Sequence, residues 1–203
     1  MSFIETERLL IRTWQLPRDL DDALAVYGDP DVMHFIPIGA LDRDQTQGLV
    51  QRMIDRNEAQ GYGIWPVVHK GDHRVIGECG VTQIPGWEPD VEIAWIFNKA
   101  YHGQGYATEA ARAVIGYAFS ELEITRLYAL IDRFNAPSIA VANRLRMRYD
   151  RIIRAYKRDL MRYELRASDH RVGPQQGASG PCACEKSKGK AGGEKGEKSL
   201  DHR

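Results

Sequence analysis

A short glycine-rich turn is where residue types and spacing in this sequence first suggest chemistry. His102-Gly103-Gln104-Gly105-Tyr106-Ala107 follows the apolar run Val91 to Phe97 and precedes a helical pattern starting near Ala107. Glycines let a backbone approach a ligand closely, and the free N–H groups and positive dipole end of a helix start favour an anion there. A pyrophosphate suits that arrangement. The plainer use of the same residues is a structural turn with glycines at positive φ. A dinucleotide-binding fingerprint needs a third glycine at position 108 and flanking βαβ units, but Thr108 stands there and the units are missing.

The other reactive side chains offer less. Cys79 sits in an apolar stretch without a histidine in a pairing motif, and it reads as a small buried hydrophobe. Cys182-Ala183-Cys184 provides two soft ligands where a complete site takes about four, so no metal is expected. Three cysteines make no disulfide framework and point to a reducing compartment. Lys plus Arg equals Asp plus Glu at 28 each, a balance that creates no field for nucleic acid or an anionic membrane. The opening residues carry no secretory pattern and no stretch reaches about 18 apolar residues, so a cytoplasmic protein is expected.

The elements that must position the turn are legible from caps and periodicity. The 203 residues, 43% of them hydrophobic, are enough for one substantial core. One domain is expected over residues 1–167, and a Gly-, Lys- and Glu-rich tail over 168–203 is expected to be disordered. Arg8 to Arg12 reads as a strand, and the acidic run after Pro17 opens a helix to Tyr27. Asp29-Pro30-Asp31 caps a short second helix, and Asp42 to Gln60, stopped by Gly61, forms a third. Tyr62 to His69, Arg74 to Ile84 and Val91 to Phe97 then make an antiparallel meander. Ala107, Ala110, Ala111, Val114, Ile115 and Ala118 lie on one helical face. Arg126 to Asp132 is a strand, Pro137 to Leu145 a helix, and Tyr149 to Arg166 two more strands. This order predicts a mixed α+β sheet.

Tyr101-His102-Gly103-Gln104-Gly105-Tyr106-Ala107-Thr108-Glu109-Ala110-Ala111 resembles the acetyl-CoA-binding segment of the GNAT N-acetyltransferases. Glu5 to Arg12, Asp29-Pro30-Asp31, Gly77, Glu92-Ile93-Ala94-Trp95 and Asn135-Ala136-Pro137-Ser138 are similar to the branch typified by the RimJ and RimL ribosomal-protein acetyltransferases. The likeness covers about residues 3 to 166.

That resemblance implies a single domain whose mostly antiparallel central sheet splays in a V between its fourth and fifth strands, with helices on both sides. Acetyl-CoA would lie in the V against the fourth strand, here Ile93, Ala94, Trp95 and Ile96. His102, Gly103, Gln104, Gly105, Tyr106, Ala107 and Thr108 would bind its pyrophosphate, and Asn135 and Ser138 would lie close to its pantetheine arm or tail. Transfer to a primary amine, on a small molecule or a protein N-terminus, would be direct. Glu92 would serve as general base and a backbone N–H near Ile93 to Trp95 would meet the oxyanion. The resemblance implies a monomer or a homodimer.

Three positions depart from the family. His102 stands where relatives usually hold Gln or Arg, a mild change because backbone amides do the binding. Relatives carry a tyrosine seven residues after the asparagine as proton donor to the thiolate; Ala142 stands there, which leaves Tyr106, Tyr149 and solvent as alternatives. That loss also leaves open a catalytically silent acyl-CoA-binding regulatory module. Arg146 replaces a helix-ending glycine, where positive φ costs arginine roughly 1 kcal/mol. Eight arginines between Arg144 and Arg166 read as a solvated strand-edge face. His34, Phe35 and Ile36 fall where relatives shape the acceptor pocket.

Overall fold

The computed structural model describes residues 4–170. The tail expected from Ser168 onward, with Cys182 and Cys184, lies outside the described residues from position 171; Ala167–Asp169 form a 3₁₀ turn, and the His170 ring packs against Phe119.

Eight strands form one sheet: β1 (Ile4–Glu5), β2 (Leu9–Ile11), β3 (Ile64–His69), β4 (Val75–Gln83), β5 (Val91–Phe97), β6 (Arg126–Ile131), β7 (Arg148–Ala155) and β8 (Arg158–Arg166). Their order is β1-β2-β3-β4-β5-β6-β8-β7. The expected fourth and fifth strands are therefore β5 and β6, because a two-residue β1 precedes the first strand read from the sequence. Every neighbouring pair is antiparallel except β5 with β6.

The helices start and stop where their caps say. In α1 (Leu20–Tyr27) the buried residues Leu20, Ala23, Val26 and Tyr27 repeat at helical spacing. Asp29 accepts the Asp31 N–H ahead of α2 (Pro30–Met33). A reciprocal capping box of Asp42 and Gln45 opens α3 (Arg43–Gln60), and Gly61 closes it at φ 75°. α4 (Tyr106–Ser120) buries Ala110, Ala111, Val114, Ile115 and Ala118, and α5 (Ala136–Arg144) follows β6.

The sheet separates two main cores, and a third cluster of Ile84, Tyr128, Ile153, Ala155 and Leu160 lies toward its β6–β8–β7 end. Cys79, Val81, Ile93 and Phe97 pack with α4, while Val68, Val75 and Ile96 pack with α1 and α3. In β5 this is the two-residue period of a strand, which puts Ile93 on the α4 face and Ile96 on the other. Among the described residues no helix is long and apolar enough to cross a membrane.

After α5 the chain turns by a Schellman motif: the Met147 N–H reaches the Ala142 carbonyl and the Arg146 N–H reaches that of Asn143, both at 3.0 Å. Arg146 thus keeps the turn of a glycine, at φ 60°. Arg146→Gly relieves that conformation and is expected to raise stability by about 1 kcal/mol, a Tm gain of about 2–4 °C in a thermal melt. An unchanged or lower Tm would mean the arginine side chain offsets its own strain.

Candidate active site

β5 and β6 share a single register pair, Glu92 with Tyr128, whereas β4 and β5 pair along the whole of β5. Beyond that pair the two strands part. The backbone groups of Asp90 and Asn98 both bond toward β4. Alternation therefore turns those of Ile93 and Trp95 toward β6, and Trp95 lies where β6 has already left. Ala94, Trp95 and Ile96 are half-buried along this gap. At its far end the His102 ring N–H donates to the Phe97 carbonyl at 2.8 Å.

Glu92 sits at the apex. The residue is 7% exposed, and burial pushes its pKa up to about 7. Two donors partly offset that rise: the Tyr156 hydroxyl, 2.7 Å from Oε2, and the backbone of Leu130 on β6. Tyr156 belongs to the tight β7–β8 turn, where it and Lys157 both take left-handed φ, 49° and 61°. Burial and the neighbouring Glu92 raise its pKa above the ordinary tyrosine value. A carboxyl that titrates near neutrality and is fixed by a hydrogen bond can exchange protons at physiological pH.

A second buried carboxyl, Glu78 on β4, accepts the Tyr27 hydroxyl and is likewise pushed up to about 7 by burial. Register places it opposite Ile96, on the same sheet face as Glu92 but at the other end of β5. Cys79 is fully buried beside it, and its thiol pKa is raised by that burial, which rules it out as a nucleophile.

The glycine turn has the geometry of an anion site. Gly103 and Gly105 take φ 76° and 85°, and a Cβ at Gly103 would meet only open space. No side chain caps α4, so among the described residues the amides of Tyr106, Ala107 and Thr108 have no side-chain acceptor. The turn is braced from β2, because Arg8 Nη1 donates to the Gln104 carbonyl at 3.0 Å. Arg8 Nε also donates to Glu109 at 2.7 Å, the Thr6 hydroxyl binds the same carboxylate at 2.6 Å, and the guanidinium stacks 4.4 Å over the Tyr106 ring. On the far side Tyr106 meets His69 Nε2 at 3.1 Å, and His69 Nδ1 meets Asp72 at 2.9 Å.

The structure thus brings Glu92, Ile93, Ala94, Trp95 and Ile96 to one cleft, with residues 102–108 as a braced turn just beyond β5. Asn135 uses its side chain to cap α5, accepting the Ser138 N–H at 3.1 Å. Tyr106 is committed to His69, and Tyr149 stacks on Tyr163 at the outer strand, so neither stands beside Glu92. Tyr156 does; sequence reasoning missed it because 64 residues separate the partners. Arg8 was missed for the same reason, its contact with Glu109 spanning 101 positions. Among the described residues no group of three or more His, Cys, Asp or Glu side chains could hold a metal.

A family model of the GNAT acetyltransferase domain matches residues 8–148. The chain is 36% identical over 166 residues to the protein YkkB of Bacillus subtilis, covering 78% of this chain and 92% of that one. It is 32% identical to the N-acetyltransferase YnaD of the same organism, over 71% of this chain and 82% of the relative. The crystal structure of a GNAT-family acetyltransferase from Bacillus anthracis superposes with a TM-score of 0.69 at 30% identity, covering 80% of this chain and 96% of that one.

Proposed function

The chain belongs to the GNAT acetyltransferase family and is an N-acetyltransferase, and from that premise we propose that it moves an acetyl group from acetyl-CoA directly to a primary amine. The acceptor is a small molecule or a protein N-terminus, and the enzyme works in the cytoplasm as a monomer or homodimer. The observation that carries the reading is Glu92, a buried carboxyl titrating near 7 at the point where β5 and β6 part.

The residues present fit acetyl-CoA. The uncapped start of α4 with Gly103 and Gly105 suits the pyrophosphate, and the free edge of β5 at Ile93 to Ile96 suits an amide-bearing chain such as pantetheine. Asn135 and Ser138 border that arm. Acetyl-CoA supplies an acyl group activated as a thioester. Glu92 takes the proton of the amine that attacks the thioester carbonyl carbon, directly or through a water. The Trp95 N–H meets the oxygen on which charge develops. Tyr156 delivers a proton to the sulfur as the C–S bond breaks and recovers one from Glu92 across their hydrogen bond. The proton lost by nitrogen thereby ends on sulfur, and the pair returns to its starting state.

Thiol release from acetyl-CoA across a panel of amines tests the activity: acceptor-dependent release supports it, and binding of acetyl-CoA with no release on any amine would reduce the protein to a binding module. Arg8→Ala is expected to loosen the glycine turn and raise the acetyl-CoA Kd about tenfold, with kcat changed less than about twofold. Calorimetry paired with kinetics checks this; an unchanged Kd would show that the turn holds its shape without β2.

A further inference from the structure

Beside the Glu92–Tyr156 pair lies a guanidinium with no acidic partner among the described residues. Thr82 lies directly across from Glu92 in the β4–β5 register. Arg56, from α3, brings Nη1 to 3.5 Å from the Thr82 hydroxyl. The same guanidinium acts electrostatically on Tyr156, whose hydroxyl holds Glu92. Arg56, Thr82, Glu92 and Tyr156 therefore form one cluster at the apex of the cleft. Lys157 follows Tyr156 in the turn, and Arg158 reaches back to the Phe35 carbonyl at 3.3 Å, beside the segment His34 to Ile36.

Among the described residues none of Arg56, Lys157 and Arg158 forms an ion pair. The acids of α3 do not neutralise Arg56. Asp55 accepts from Gln51 at 2.8 Å, and helix positions one or two apart, as Asp55 and Glu58 are from Arg56, are not surface neighbours. An unpaired guanidinium with five planar donors beside a proton-accepting carboxyl is arranged for a molecule that carries both an amine and an anion. A polycation would offer that guanidinium no acceptor and be repelled by it.

We propose that Arg56 recognises a carboxylate carried by the acceptor, so that the substrates are amines with a nearby carboxylate, as in amino acids and acidic peptides, rather than polyamines or aminoglycosides. This rests on the transferase reading above and adds a selectivity to it. Arg56 stands on an exposed helix face, so its replacement leaves the cores untouched.

The test uses matched acceptors that differ only in bearing a free carboxylate or its carboxamide: free amino acids in one arm, short peptides with an acidic second residue in the other. Thiol release is measured on wild type, Arg56→Lys, Arg56→Gln and Arg56→Glu. Wild type should favour the carboxylate in kcat/KM by about tenfold, expressed in KM. Arg56→Gln should abolish the preference in KM, with any change in kcat that passes through Tyr156 falling equally on carboxylates and carboxamides; Arg56→Glu should invert the preference, and Arg56→Lys should keep part of it. Whichever arm shows the larger preference identifies the source of the carboxylate. Brisk release with no preference, or a preference that survives Arg56→Gln, overturns the assignment alone. No release on any acceptor overturns the transferase reading and this assignment with it.

Discussion

Glu92→Gln is expected to lower kcat by about 10²- to 10⁴-fold while the acetyl-CoA Kd stays within about twofold. The glutamine keeps the shape of the side chain and can still accept the Tyr156 hydroxyl, so what is lost is basicity. The pH dependence follows from the direction of the shift. Burial holds the Glu92 pKa near 7, hence wild-type activity should rise as pH climbs through about 7 and the carboxyl ionises. The groups around it are the Tyr156 hydroxyl, the Leu130 backbone, Thr82 and Arg56. The glutamine variant should show a flat profile there. Stability moves the other way: a carboxyl whose folded pKa is raised binds its proton more tightly in the native than in the unfolded state. The native state therefore loses stability as pH rises from about 4.5 to 7. Glu92→Gln should remove that slope while Glu78 retains its own. A variant with full activity would exclude Glu92 as the base.

Arg162→Leu should be the most destabilising single change, costing about 3 kcal/mol and lowering Tm by about 6–12 °C. Arg162 is 4% exposed although it shares one face of β8 with Arg158 and Arg166, because it sits mid-strand where the Tyr128 and Trp87 rings cover it. Its guanidinium bonds Asp150 at 2.6 Å and Asp90 at 3.0 Å, and it stacks 4.3 Å over the Tyr128 ring. Leucine would fill most of the volume but strip Asp90 of its ion pair and leave Asp150 with only Arg151 at 3.4 Å. Asp90 leads directly into β5, and Tyr128 is the register partner of Glu92, so activity should fall with stability. Chemical denaturation checks the magnitude. A loss below about 0.5 kcal/mol would mean that solvent carries both carboxylates.

The strands and helices were largely readable because their signals are local. Asp42 with Gln45, Gly61, and the alternation in Val91 to Phe97 each act within a few residues, and the observed bounds follow them closely. The α+β class and the position of the glycine turn came the same way. β1 escaped because two residues carry no period. The site was half legible. Glu92 and residues 102–108 belong to a contiguous pattern, whereas Tyr156 and Arg8 reach their partners only through the sheet. Arg162 could not be told from Arg158 or Arg166, which share its face of β8; only its mid-strand place between Leu130 and Arg151 puts it under the Tyr128 and Trp87 rings. Expecting a wholly solvated arginine face missed that one buried member.

The outward arginines of β7 have a consequence for how copies of this chain meet. β7 ends the sheet, and a terminal strand offers unpaired backbone to any similar strand. Arg148, Arg151 and Arg154 are exposed along it, as are Tyr149 and Ile152, which would otherwise favour adhesion. Each arginine also holds an acid, Arg148 with Asp169, Arg151 with Asp150 and Arg154 with Asp159, so the edge is lined by exposed ion pairs that a second strand would have to strip of water before it could pair. The edge is thus guarded by hydration of charge, and concentrated salt, by screening those pairs, loosens the cover over the apolar residues between them.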